Sequence, residues 1–108
     1  MTARGTWKAS ERRMAEALGG VRVPITGRQR GSAPDIAHSI YAIEHKYGGR
    51  LLSARLHEAV EQALASAVEQ AGRIPLVTLE EHKPGRLKNE CFVLMRLEDF
   101  LELTSAED

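Results

Sequence analysis

This chain has little that could staple it or anchor it. A single cysteine among 108 residues excludes an internal disulfide, and with it the cross-linked scaffolds of small secreted proteins. Apolar runs stop after a few residues, far short of the roughly 20 that a membrane-spanning helix needs. The segment Met1 to Gly5 has no apolar stretch of the signal-peptide kind, so a cytoplasmic protein is expected. Net charge is missing as well: 15 Lys and Arg balance 15 Asp and Glu, which speaks against a uniformly basic nucleic-acid binder. Metal-binding histidine patterns are absent, since His38, His45, His57 and His82 have no zinc-ligand spacing. Gly27 to Gly31 lacks the Gly-Lys-Ser/Thr ending of a phosphate-binding P-loop. What remains is an ordinary folding composition, 43% apolar and 28% charged, at a length that fits one domain over residues 1–108.

The zero total conceals two unlike halves. Residues 1–55 hold ten bases and four acids, a net +6, and residues 56–108 hold five bases and eleven acids, a net −6. Such asymmetry fits a charged partner that meets one half of the chain. It fits equally a fold in which the halves interleave and the surface is mixed.

Periodicity sets out the elements. From Gly5 to Leu18, Trp7, Met14, Ala15, Ala17 and Leu18 fall on a helical stripe. Thr6 is placed to cap this helix and Gly19-Gly20 to end it. Val21 to Ile25 alternates like a half-buried strand with Pro24 at its edge, and the Gly-bounded basic stretch 26–34 reads as a surface loop. Asp35 to Ser39 and Ile40 to Tyr47 read as two short strands joined by a tight connection. Leu51 to Ala71 is a long amphipathic helix. Ile74 to Leu79 and Cys91 to Leu97 read as strands, with Cys91 buried, and Glu98 to Leu103 as a short closing helix. The order is that of a small α/β domain of two or three layers.

The residues with most to offer chemically are Pro34-Asp35 and, nine positions on, Glu44-His45-Lys46. A two-residue hairpin at Ser39-Ile40 would set Asp35 opposite Glu44 on one face of the sheet, with Lys46 projecting from that same face. Ile36 and Ile43 would then pair on the other face, where they can join a core. Adjacent carboxylates repel unless a cation neutralises them, and oxygen ligands of this kind suit Mg²⁺ or Mn²⁺. Such an ion can hold a phosphate and activate water, while a lysine stabilises charge that develops at phosphorus. A third carboxylate is expected from elsewhere. Glu11 is the best placed, because Lys8, Arg12 and Arg13 beside it could meet DNA phosphates. Arg4, Lys8, Arg12, Arg28, Arg30, Arg50 and Arg55 are the candidate phosphate contacts.

The order Glu11, Pro34-Asp35, Glu44-His45-Lys46 resembles the PD-(D/E)XK nuclease superfamily, and more finely the archaeal-type and phage Holliday junction resolvases. The likeness runs from Ala9-Ser10-Glu11-Arg12-Arg13 through Gly20-Val21-Arg22-Val23-Pro24 and Thr26-Gly27 to Phe92-Val93-Leu94 and Asp99-Phe100. It implies a restriction-endonuclease-like fold, a small mixed sheet of about five strands flanked by helices. It also implies a homodimer, in a bacterial, archaeal or phage-infected cell, that binds four-way DNA junctions and makes two symmetric nicks with Mg²⁺, Mn²⁺ being an alternative ion. Glu11, Asp35 and Glu44 would be the metal ligands and Lys46 the catalytic lysine. The chain departs from the pattern in two ways: His45 stands where that family usually has an apolar residue, and the connection from Asp35 to Glu44 is short.

Overall fold

The computed structural model describes residues 3–24, 34–85 and 87–105, with side chains from Thr6 onward. It is a small mixed α/β protein of two compact units, Met1–Leu51 and Leu52–Asp108.

In the first unit, helix α1 (Ala3–Leu18) begins before Thr6, so Thr6 lies within the helix and not at its cap. Gly19 ends it at φ 75°. The Gly20 amide donates to Ala15 O at 2.8 Å and the Gly19 amide to Glu16 O at 3.3 Å. This paired closure satisfies two carbonyls of the last turn and requires the left-handed conformation that glycine adopts without strain. Strands β1 (Val21–Arg22) and β2 (Ile36–Ala37) follow, antiparallel, with Arg22 opposite Ile36. The Val23 amide extends the pairing by donating to Asp35 O at 2.9 Å, and Pro24 then removes the next donor. The phase of the alternation is set by Arg22: it points inward, while Val21 is 70% exposed.

Ile36 is fully buried and Ala15 nearly so, and they form the apolar centre of this unit. Gly20 packs directly over them. A Cβ there would lie 2.6 Å from Ala37 O and 2.7 Å from Ile36 Cγ2, and the first of these is backbone that cannot step aside. Gly20→Ala is therefore expected to destabilise the protein by about 1–3 kcal/mol, measured as a lower urea midpoint with an unchanged slope. Gly19→Ala meets no atom within 4 Å, so it reports conformational strain alone.

The expected strand Ile40–Tyr47 is reduced to a single bridge, Ile43 to Ile36. His38 is the reason. Its Nδ1 accepts from the Ile40 amide at 3.0 Å and the Tyr41 amide at 3.3 Å, so the ring proton sits on Nε2, which donates to Leu18 O at 2.9 Å. One imidazole thus organises the turn and satisfies a carbonyl at the end of α1. The backbone amides of Ile40 and Tyr41 are committed to the ring and cannot build a ladder.

In the second unit, α2 (Ala54–Glu69) is capped by Ser53, whose Oγ accepts from the Leu56 amide at 3.2 Å. Strands β3 (Val77–Glu81) and β4 (Glu90–Leu94) form an antiparallel hairpin with Val77 opposite Leu94 and Glu81 opposite Glu90, followed by α3 (Leu97–Ser105). Pro75 interrupts the expected Ile74 start, and β3 begins after it. Two glutamates facing each other would repel. Lys83 Nζ lies between them, 2.8 Å from Glu81 and 3.5 Å from Glu90. Its hydrogen bond to Glu81 holds that carboxyl below its ordinary range and raises the ammonium in return. Arg96 is likewise raised, first by its hydrogen bond to Asp99. Cys91, expected to be buried, is exposed on β4, because the hairpin leaves that face uncovered.

The five-stranded mixed sheet is therefore corrected. Among the described residues four strands make two antiparallel pairs, β1–β2 and β3–β4. One expected strand, Ile40–Tyr47, is lost where His38 takes the Ile40 and Tyr41 amides. Among the described residues, no helix is long and apolar enough to cross a membrane.

Candidate active site

Asp35 occupies an irregular point of its strand. Its amide and that of Ile36 both donate to Ile43 O, at 3.0 and 3.3 Å. Two successive amides on one carbonyl is the hydrogen-bond pattern of a β-bulge, a device that re-aims a side chain. Asp35 therefore does not face Glu44 squarely, as a regular hairpin would have it. Its carboxylate turns along the strand, and Oδ2 accepts from the His45 amide at 2.7 Å. The residue is 5% exposed. The pairing of Ile36 with Ile43 survives in the expected register, so the bulge begins just where the motif does.

His45 itself reaches the opposite way. Its Nε2 lies 2.8 Å from Ser10 Oγ on α1, and Ser10 is buried. The half-buried imidazole is thus matched by a polar residue on α1. Glu44 and Lys46, on either side of His45, are exposed. Their side chains can meet a ligand from solvent.

Glu11 follows Ser10 on α1 and is 2% exposed. Its Oε1 accepts from Arg22 Nε at 2.6 Å. The pair is buried on the carboxylate side and reaches solvent only through the guanidinium, whose side chain is 18% exposed. Glu11 is thus already neutralised by a cation from within the protein. Among the described residues, no three acidic, histidine or cysteine side chains converge as a ready metal cluster. Asp35 with Glu44 offers the oxygen donors that Mg²⁺ takes, since that ion commonly binds one or two carboxylates plus water and substrate phosphate. The Arg22 bond is to one oxygen of Glu11, so Glu11 would join them either through its other oxygen or by releasing Arg22.

Of the candidate phosphate contacts, Arg12 and Arg50 are exposed in the first unit and Lys8 is half-buried on α1. Arg55 is exposed in the first turn of α2, in the second unit. The side chain of Arg4, together with Arg28 and Arg30, lies outside the described residues. By unit, the first carries nine bases and four acids and the second six and eleven. The asymmetry of the sequence thus follows the division of the structure.

Three residues take part here that the motif does not contain: Ser10, Arg22 and His38. Arg22 gave little signal, because a strand that reads valine-arginine-valine suggests that the valines face inward. Ser10 was foreshadowed by His45, which needed a polar partner on whatever covers it. His38 gave no comparable signal, because its role depends on a turn that only the folded chain defines. No family model, curated protein or solved structure matches this chain.

Proposed function

We propose that the protein is a Mg²⁺-dependent endodeoxyribonuclease that resolves four-way DNA junctions by paired symmetric nicks, acting as a homodimer. The observation that carries this reading is the buried Asp35 carboxylate, held by a bulge and by the His45 amide, at its place in the order Pro34-Asp35, Glu44-His45-Lys46. Asp35 and Glu44 would hold the ion. When bound, Mg²⁺ supplies charge for the scissile phosphate and acidifies the attacking water. Lys46 brings an ammonium to the oxygens that gain charge at phosphorus. Asp35 is fixed before any ligand arrives, so its carboxylate loses little freedom on binding.

Two features support the DNA and dimer parts of the reading. The proposed catalytic residues Glu11, Asp35, Glu44 and Lys46 all lie in the unit with the basic excess, which suits a phosphate-bearing partner. The second unit exposes Val93 at 67%, Val68 at 82% and Leu103 at 50%. These exposed apolar side chains are candidates for a dimer contact, and a two-fold substrate suits a two-fold enzyme.

The Glu11–Arg22 pair favours a second reading, a DNA-binding module without catalysis, because it already supplies the third carboxylate with a cation. A substrate panel separates them. Four-way, flap and linear duplex DNA are incubated with the protein, with and without Mg²⁺. Nicking confined to the four-way junction and to Mg²⁺ is expected. Equal cutting of all three would keep the nuclease and discard the junction preference; binding without cutting under Mg²⁺ or Mn²⁺ would establish the second reading.

A further inference from the structure

We infer that His45 is a positioning residue, which ties the strand carrying Glu44 and Lys46 to helix α1 through Ser10. The inference rests on the nuclease reading and adds to it a residue that the motif leaves unspecified.

His45 is held at two points. Its backbone amide donates to Asp35 Oδ2 at 2.7 Å, and its ring Nε2 meets Ser10 Oγ at 2.8 Å. The first bond sets the spacing between Asp35 and the Glu44-His45-Lys46 segment. The second anchors that segment to α1, at the residue before Glu11. Among the described residues the strand pairing ends at the Ile36–Ile43 bridge, and no sheet ladder there includes residues 44–46. An apolar residue at 45 would have anchored the segment by packing alone. Here a directional bond does so, and a hydrogen bond fixes rotation as well as distance. Glu44 and Lys46 are exposed and flank this doubly held residue, so its position bears directly on theirs.

The two bonds can be separated by substitution. His45→Ala and Ser10→Ala both remove the ring bond and keep the backbone bond to Asp35. His45→Gln returns a side-chain amide able to reach Ser10. Single-turnover nicking and junction affinity are measured for each, together with exchange of the residue 45 amide proton by NMR. The expected result is a fall in the nicking rate of about 10- to 100-fold for both alanine variants, as small misplacement of reacting groups produces. Junction affinity stays within about twofold, because the phosphate contacts lie elsewhere. The residue 45 amide exchanges faster in Ser10→Ala, and His45→Gln recovers most of the rate.

Wild-type nicking rates in Ser10→Ala and His45→Ala would overturn the inference and leave the nuclease reading standing. Equal loss of rate, affinity and thermal stability, with no recovery in His45→Gln, would also overturn it and reduce the pair to a packing contact. Should His45→Ala fail to fold, Ser10→Ala and His45→Gln carry the comparison. Failure of the wild-type protein to cut any DNA with Mg²⁺ or Mn²⁺ would overturn the nuclease reading, and the inference with it.

Discussion

Asp35→Asn and Lys46→Ala are each expected to lower the proposed Mg²⁺-dependent nicking of a four-way junction by at least about a hundredfold, with both variants still binding the junction. The two substitutions act on different parts of the chemistry. Asparagine keeps the shape of Asp35 and an oxygen that can accept from the His45 amide, so the bulge and the strand spacing persist. What disappears is the negative charge that would hold the ion. Since that charge also repels phosphate, junction affinity should stay level or rise slightly. Lys46 is exposed and belongs to no described ion pair. Its loss leaves the fold alone, and junction affinity stays nearly intact because the candidate phosphate contacts lie elsewhere. Gel-based nicking and fluorescence anisotropy, run on the same preparations, measure both quantities. Full nicking by either variant removes that residue from the site.

The second large effect concerns stability. Arg22→Ala strands a carboxylate that is 2% exposed, whereas Glu11→Ala strands a guanidinium whose side chain is 18% exposed and can turn toward water. Removing the cation should therefore cost more than removing the anion, about 3 kcal/mol against about 1. In a domain of this size the larger value lowers the thermal midpoint by roughly 10 °C or more. Glu11→Gln combined with Arg22→Ala should recover part of the loss, because the buried group is then neutral.

This pair also decides what Glu11 can do. If Glu11 is a metal ligand, millimolar Mg²⁺ takes the place of the missing guanidinium and raises the midpoint of Arg22→Ala through linkage. It would not raise that of the double variant. A midpoint of Arg22→Ala that ignores Mg²⁺ would assign Glu11 to the ion pair alone, and the metal would rest on Asp35 and Glu44.

The helices were legible in the sequence because their cues are local. Gly19-Gly20 marks the end of α1 through backbone freedom, and the aliphatic stripe of α2 follows from its 3.6-residue period. The pairing of Ile36 with Ile43 was also legible, since a short connection between apolar residues fixes their sum. The sheet was not. Whether Ile40 and Tyr41 join a strand depends on His38 taking their amides, a contest between side chain and backbone that periodicity does not register. The site was half legible. Asp35, Glu44 and Lys46 stand in motif order, but the bulge that turns Asp35 from Glu44 toward the His45 amide leaves no mark on residue type. The interior partner of Glu11 was hidden because a strand that reads valine-arginine-valine suggests buried valines. Here the arginine is the inward residue, drawn by a carboxylate from another element.

The central claim is that the Asp35 hairpin holds a divalent ion, and paramagnetic broadening by Mn²⁺ tests it most directly. Amide resonances of the isotope-labelled protein are followed as Mn²⁺ is added below stoichiometry. Broadening should begin at Asp35, Ile36, Glu44 and His45, and be delayed in Asp35→Asn. The acidic hairpin of the second unit, Glu80, Glu81 and Glu90, is an internal control whose signals should stay sharp until the ion is in excess. Broadening that begins at that hairpin and leaves Asp35 and Glu44 untouched would contradict the claim.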